Sequence, residues 1–212
     1  MRISAIIPAY NEAPTVGNVV DVLTRVKEIE EIIVVSDGST DNTVQVAEKS
    51  GAKVIELSKN IGKGGAMKVG LDNCNADIVL FLDADLIGLT ERHVRNLLLP
   101  VVNGEAAMSI GIFGDGRFST DLAQKVSPFL SGQRAIKKDI LNNICNMELT
   151  KFGVEIALTN YVRKNNIIYK KVILERMSHV MKEEKFGWKK GVKARIKMYW
   201  EIIKGINLAR QR

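Results

Sequence analysis

Two rhythms of apolar and polar positions alternate along the first half of the chain. Ile3–Ile7, Glu31–Ser36, Lys53–Leu57, Ile78–Leu82 and Ala106–Phe113 are short runs rich in Val and Ile. Such runs predict strands, and the densest of them predict strands buried on both faces. Pro8 ends the first. Between the runs, apolar residues recur at helical spacing. Val16, Val19, Val20, Leu23 and Val26 follow Pro14, which suits a first helical turn. Asp41 predicts the cap of a helix to about Ser50, which Gly51 closes. Gly62–Gly65 leads into a helix to about Cys74, and Thr90–Val102 forms the next. Strands alternating with helices predict an α/β fold: a mainly parallel central sheet covered by helices, with right-handed crossovers.

After Phe113 the pattern weakens. Residues 114–128 read as a surface loop, Ser131–Arg134 as the opening of a helix to about Asn143, and Gly153–Lys164 as another helix. A strand is expected near Ile167–Leu174 and a terminal helix over Lys189–Leu208. This predicts three parts: a binding half over 1–113, a second half of the same domain over 114–184, and a terminal helix over 185–212.

Charge sharpens that division. The chain carries +7, and residues 182–212 hold 10 basic and 3 acidic residues, so the rest is formally neutral. A neutral body excludes a general nucleic-acid coat. In the tail, Val192, Ile196, Tyr199, Trp200 and Ile203 share a face flanked by lysines. That pattern fits an amphipathic helix on an anionic membrane, or a helix docked on the domain or on a second copy in a homodimer. Cys74 and Cys145 form no C-x-x-C pair, which favours a reducing compartment. Met1-Arg2 leads directly into the first apolar run, so no signal peptide is expected, and no run reaches the roughly 18 residues that span a bilayer. The expected location is the cytoplasm, with peripheral attachment to the cytoplasmic face of the membrane as the tail's contribution.

The candidate chemistry lies at strand ends. Ile78–Leu82 stops at Asp83-Ala84-Asp85. Ligands of open α/β sheets bind outside the carboxyl ends of strands. If the backbone stays extended, both carboxylates point the same way, and two hard oxygen donors suit Mg²⁺ or Mn²⁺ carrying a diphosphate. The plain alternative makes Asp83 a turn cap and Asp85 a solvated acid. The first strand ends in Pro8-Ala9-Tyr10-Asn11-Glu12 and the second in Ser36-Asp37-Gly38-Ser39-Thr40-Asp41. Asp37 could accept the imide N–H of a uracil or the N–H groups of a guanine, while Pro8 and Ala9 offer backbone groups; the alternatives are a tight turn at Asp37-Gly38 and a cap at Asp41. Lys63, before a helix in Gly62-Lys63-Gly64-Gly65-Ala66, could neutralise a diphosphate or be a solvated loop lysine. Its spacing matches neither a P-loop nor a dinucleotide fingerprint.

These four segments, in this order over about the first 110 residues, resemble the family 2 nucleotide-sugar glycosyltransferases. The resemblance implies a GT-A fold, Rossmann-like, and a metal-dependent transfer of a sugar from a UDP- or GDP-sugar to an acceptor. It implies nucleotide-sugar binding by Pro8, Ala9, Tyr10, Glu12, Asp37, Lys63, Asp83, Ala84 and Arg134. It places Asp83 near the ribose or the metal and makes Asp85 a ligand of Mg²⁺ or Mn²⁺. The family often shows a double Asp where this chain has Ser36-Asp37. Ser131-Gly132-Gln133-Arg134-Ala135 is similar to the acceptor-side segment of family 2 enzymes and of glucosyl-3-phosphoglycerate synthases.

In that segment Arg134 suits an anionic acceptor or the diphosphate by bidentate contact, or a salt bridge at a helix start. Glu155 stands where such enzymes place an acceptor-side acid and is the candidate base; an exposed helix glutamate is the alternative. Related GT-A enzymes bring a late His to the metal, which singles out His179, whereas His93 reads as structural. The expected acceptor is a lipid phosphate or lipid-linked molecule at the membrane. The alternatives are a soluble enzyme acting on a small anionic acceptor such as phosphoglycerate, and a nucleotidyltransferase making nucleotide-sugars. The last is disfavoured because Pro8–Glu12 occupies the place of its Gly-rich segment.

Overall fold

The computed structural model describes residues 1–114, 131–144 and 154–179. Contacts divide the chain into Met1–Ser178 and His179–Arg212, and the fold described here is that of the first unit. The expected loop over 114–128 falls outside the described residues except for Gly114. The expected terminal helix, with its membrane or dimer role, lies wholly outside them.

Four strands come from the first 81 residues: β1 (Ile3–Ala9), β2 (Glu31–Ser36), β3 (Lys53–Glu56) and β4 (Ile78–Phe81). All pair in parallel, with Ala5 opposite Ile32 on one side and Leu80 on the other. Helices α1 (Val16–Leu23), α2 (Thr43–Lys49) and α3 (Lys63–Asp72) connect them. Next come β5 (Leu86–Ile87), α4 (Glu91–Val102), β6 (Met108–Phe113), β7 (Arg134–Lys137), α5 (Lys138–Ile144), α6 (Val154–Lys164), β8 (Tyr169–Leu174) and β9 (Ser178–His179). The main sheet runs β3-β2-β1-β4-β7-β6-β8, and β5 pairs with β9 in a second, two-stranded sheet.

Alternation along the strands builds two apolar layers. Ile3, Ala5 and Ile7 of β1 face Val16, Val19, Val20 and Leu23 of α1 and Val94, Leu97, Leu98 and Val101 of α4. Ile6, Val35, Val79 and Phe81 face Ala66, Met67 and Leu71 of α3 and Leu158 and Val162 of α6. Each Val, Leu, Ile, Phe or Met among them contributes about 1.5–3 kcal/mol when fully buried. Asp83 continues the parity of Val79 and Phe81, which aims the end of β4 toward the α3 and α6 layer.

Three expectations are corrected. Pro8 does not end β1, which runs on to Ala9. In this register the even-numbered residues of β1 bond toward β4, whose ladder stops at Ile6 opposite Phe81, so the N–H that Pro8 lacks has no partner to lose. The helix expected from Ser131 is instead a strand followed by a helix. Ala135 and Ile136 are fully buried, and β7 lies antiparallel to both β4 and β6. Asp41 is not the terminal cap of α2; that place is taken by Asn42, whose side chain makes no capping bond to the helix. Asp41 bonds the Thr43 amide from one residue further back, at 3.0 Å.

Candidate active site

The loops after β1 and β2 are joined by side chains bonded to backbone. The Asn11 amide donates to Ser39 Oγ (3.1 Å), and the Thr40 amide donates to Asn11 Oδ1 (2.8 Å). The Glu12 amide donates to Thr43 Oγ1 (2.8 Å) and the Ala13 amide to Asp41 Oδ2 (3.2 Å). Asn11 adopts φ 55°, a left-handed conformation that Asn tolerates better than most residues. Burial opposes ionisation of Asp41. Hydrogen bonds from Thr43 and Ala13 outweigh it and hold the carboxyl below its ordinary value. This frame presents Pro8 half-buried, Ala9 buried and Tyr10 exposed at the strand ends. Glu12 accepts the Thr15 hydroxyl at 3.3 Å.

Asp37 is 3% exposed. Its Oδ1 accepts the Ile61 amide (2.7 Å) and its Oδ2 the Gly62 amide (2.9 Å). Its own amide donates to the Ala9 carbonyl (2.8 Å), and its carbonyl accepts Asn60 Nδ2 (3.1 Å). The carboxylate therefore ties the end of β2 to the N-terminus of α3, using two of its roughly four lone-pair sites. Next to it, Gly38 has φ 70°, and a Cβ there would stand 2.7 Å from the Asn60 nitrogen. That position requires glycine.

Lys63, in the first turn of α3, reaches across the rim. Its ammonium lies 2.6 Å from Asp83 Oδ1 and 2.5 Å from Glu155 Oε1. Both carboxylates are largely buried, at 17% and 15% exposure, while Lys63 remains 40% exposed. Burial pulls the Lys63 ammonium down, but the attraction of Asp83 and Glu155 wins and raises it above its ordinary value. The other oxygen of Asp83 accepts Gln133 Nε2 at 2.8 Å.

Arg134 lies beneath this cluster. It is 1% exposed, with Nε donating to the Ser131 carbonyl (2.9 Å) and Nη1 to Thr159 Oγ1 (2.8 Å). Thr159 Oγ1 in turn donates to the Glu155 carbonyl (2.8 Å), so β7 braces the first turn of α6. Burial lowers the guanidinium to about 10 while Glu155 and Asp83 pull it back up, which leaves it charged at neutral pH. The expected bidentate contact with a ligand is thus replaced by a bracing role, because the group is enclosed. Nor is it at a helix start.

The backbone leaves the extended conformation at Ala84–Asp85, which form a turn before β5. Alternation therefore does not set the direction of Asp85. Ala84 is buried, and Asp85, like Asp83, is only partly exposed. The backbone of His179 belongs to β9, and its side chain lies outside the described residues. No group of three or more His, Cys, Asp or Glu side chains able to hold a metal occurs among the described residues. The donors at this strand end, two carboxylates, are hard oxygens of the kind Mg²⁺ and Mn²⁺ take, so their chemistry fits such an ion. No helix among the described residues is long and apolar enough to cross a membrane.

The structure thus brings together Asp83, Lys63 and Glu155, with Asp37 and the Pro8 segment on the same rim. Asn11, Ser39, Thr43 and Gln133 were not predicted as site residues. Asn in the bend that follows a strand is the one local signal among them, through its tolerance of positive φ.

The family described as Glycosyl transferase family 2 matches residues 4–175. Glucosyl-3-phosphoglycerate synthase of Mycobacterium tuberculosis is 35% identical over 120 residues, covering 52% of this chain and 37% of the relative. Dolichyl-phosphate beta-glucosyltransferase of Drosophila melanogaster is 40% identical over 101 residues, covering 40% of this chain and 31% of the relative. The chain spans about a third of the length of these relatives. Among solved structures, the M. tuberculosis synthase in complex with Mn²⁺, UDP and phosphoglyceric acid matches with a TM-score of 0.72 and 29% identity, covering 84% of this chain and 70% of that one. The same synthase with Mg²⁺ and UDP matches with a TM-score of 0.71.

Proposed function

This chain belongs to glycosyl transferase family 2, and from that premise we propose that it transfers a sugar from a UDP-sugar to the hydroxyl of a small anionic acceptor such as phosphoglycerate. The observation that carries the reading is the ammonium of Lys63 shared between Asp83 and Glu155 at the carboxyl end of β4. Asp83 belongs to the strand end where the nucleotide-sugar is held. Glu155 belongs to the helix of the second half, so donor and acceptor sides meet at one cation.

The remaining roles are those that the family resemblance implies, and the contacts of Lys63 with Asp83 and Glu155 support them. Backbone groups of Pro8 and Ala9, with Tyr10, Glu12 and Asp37, hold the nucleoside. Asp83 and Ala84 line the ribose and diphosphate, and the exposed Lys63 lies within reach of the diphosphate. Asp85 and His179 are the ligands of a divalent cation. Bound there, Mg²⁺ or Mn²⁺ supplies Lewis-acid neutralisation of the leaving diphosphate. Glu155 takes the proton of the acceptor hydroxyl. The M. tuberculosis synthase, with its UDP, Mn²⁺ and phosphoglyceric acid, supports this assignment of substrates.

Incubation with a panel of nucleotide-sugars and phosphoglycerate tests the reading. Release of free UDP with formation of a glycosylated acceptor is the expected result. Release of pyrophosphate would make the protein a nucleotidyltransferase instead.

A second reading has its own support. The net charge of +7 sits within residues 182–212, beside Tyr199, Trp200 and Ile203. The fly relative, named for dolichyl phosphate, is the matching comparison. In this reading the tail binds anionic membrane and the acceptor is a lipid phosphate. Each basic residue near such a surface contributes roughly 1 kcal/mol. Full-length chain is then expected to sediment with anionic liposomes at low salt, and less at high salt where attraction is screened. A chain ending near Glu184 should stay in solution. Equal sedimentation of the two would remove this reading.

A further inference from the structure

Asp83 is gripped on both oxygens by donors of different kinds. Lys63 on Oδ1 is a charged group on a flexible stem, 40% exposed. Gln133 on Oδ2 is neutral and 1% exposed, and it projects from the residue that precedes β7. A carboxylate without a proton can accept and cannot donate, so Gln133 must turn its NH₂ toward Asp83. Its carbonyl end, Oε1, then faces the Ser131 hydroxyl at 3.0 Å. The main chain of Gln133 is pinned as well, because its carbonyl accepts the Gly111 amide at 2.8 Å.

Two glycines make the room for this grip. A Cβ at Gly132 would stand 2.5 and 2.7 Å from the two oxygens of Asp83 and 2.7 Å from Lys63 Nζ. A Cβ at Gly111 would stand 3.1 Å from Gln133 Cβ. The strand edge is therefore shaped to bring the Gln133 amide against the carboxylate.

We propose that Gln133 is the positioning residue for the Asp83 carboxylate. It holds the group while Lys63 trades its carboxylate partners for the diphosphate of the incoming donor. Lys63 can leave because its long stem is partly exposed and the diphosphate offers the ammonium another anion; Gln133 cannot, because it is enclosed and its main chain is bonded to Gly111. Asp83 thus keeps its orientation at the moment when its charged partner is drawn away. This inference rests on the donor-site reading above and adds to it a residue that touches neither substrate nor cation.

A double-mutant cycle tests it, read as the affinity of the full chain for UDP with Mn²⁺ and followed by NMR so that weak binding stays measurable. Gln133→Met keeps the volume and removes the donor. It is expected to weaken UDP binding about tenfold, the loss usual for a hydrogen bond to a charged group, in a protein that stays folded at the temperature of the measurement. In an Asp83→Asn background the same substitution is expected to change affinity less than about twofold, because there is no carboxylate left to orient. Equal losses in the two backgrounds would overturn the positioning role and make Gln133 an ordinary packing residue. Unchanged affinity in Gln133→Met would do the same. Unchanged affinity in Asp83→Asn alone would instead overturn the donor-site reading, which keeps the two failures distinct.

Discussion

Mn²⁺ ceases to strengthen UDP binding when Asp85 is replaced by Ala. The expectation rests on the place of Asp85 in the turn that ends β4, beside Asp83 and directly before β5. Two carboxylates one residue apart at a sheet's carboxyl end offer the hard oxygen donors that Mn²⁺ takes. Groups that merely orient a metal ligand are worth about 10–100-fold in affinity. Loss of the ligand itself should exceed that range. Calorimetry with UDP, with and without Mn²⁺, reads the effect directly. His179→Ala is the companion variant, expected to lower apparent Mn²⁺ affinity without unfolding the domain. An Asp85→Ala protein that is folded and still shows the full Mn²⁺ effect would remove the metal assignment.

Glu155→Gln should lower kcat by about 10²–10⁴ while the donor KM stays close to that of the wild type. Gln preserves the shape and can still accept from Lys63 through its carbonyl oxygen, so the cluster keeps one hydrogen bond of the pair now measured at 2.5 Å. What is lost is the ability to take a proton. The size of the loss therefore reports on the nucleophile. A hydroxyl must be deprotonated in the transition state. A phosphate monoester is ionised beforehand and needs no base. A variant that stays within about tenfold of the wild type would remove the base role from Glu155 and favour the lipid phosphate acceptor.

Much of the fold was legible because the strands and helices of the first 113 residues carry their own periodicity. Val16, Val19, Val20 and Leu23 predict the buried stripe of α1, and all four are fully buried. The strand β7 was not legible. Its four residues, Arg134–Lys137, begin and end with a charge and contain a single apolar pair, Ala135-Ile136. Such a segment becomes a central strand only because β4 and β6 leave a gap of the right width on either side, which is information held elsewhere in the chain. Pro8 misled for the same reason. A missing N–H costs nothing where the neighbouring ladder has already stopped.

The candidate site divides along similar lines. Asp37, Lys63, Asp83 and Glu155 stood out as charged residues at strand ends or helix starts, and the structure gathers the last three into one ion cluster. Arg134 stood out equally, yet it is enclosed, since local sequence does not distinguish a guanidinium that meets a ligand from one that braces a helix. Gln133 carries no charge and lies in no recognisable spacing. Its role depends on a contact across 50 positions of sequence. Asn11 and Ser39 are illegible for the same reason: each is defined by a partner on the other loop.

The strand order β4-β7-β6 has a consequence for how the protein is made. During synthesis β6 emerges before β7, yet it pairs with β7 and β8 and not with β4. The four parallel strands of the first 81 residues can assemble as they appear, each against an edge already laid down. β6 must then wait beside an unfinished sheet until the chain doubles back and β7 closes the gap. Gln133 and Arg134 arrive in that same step. The nascent chain therefore carries a strand-end carboxylate at Asp83 without its buried amide partner until the sheet is joined, and the strand that joins β4 to β6 is also the one that delivers that partner.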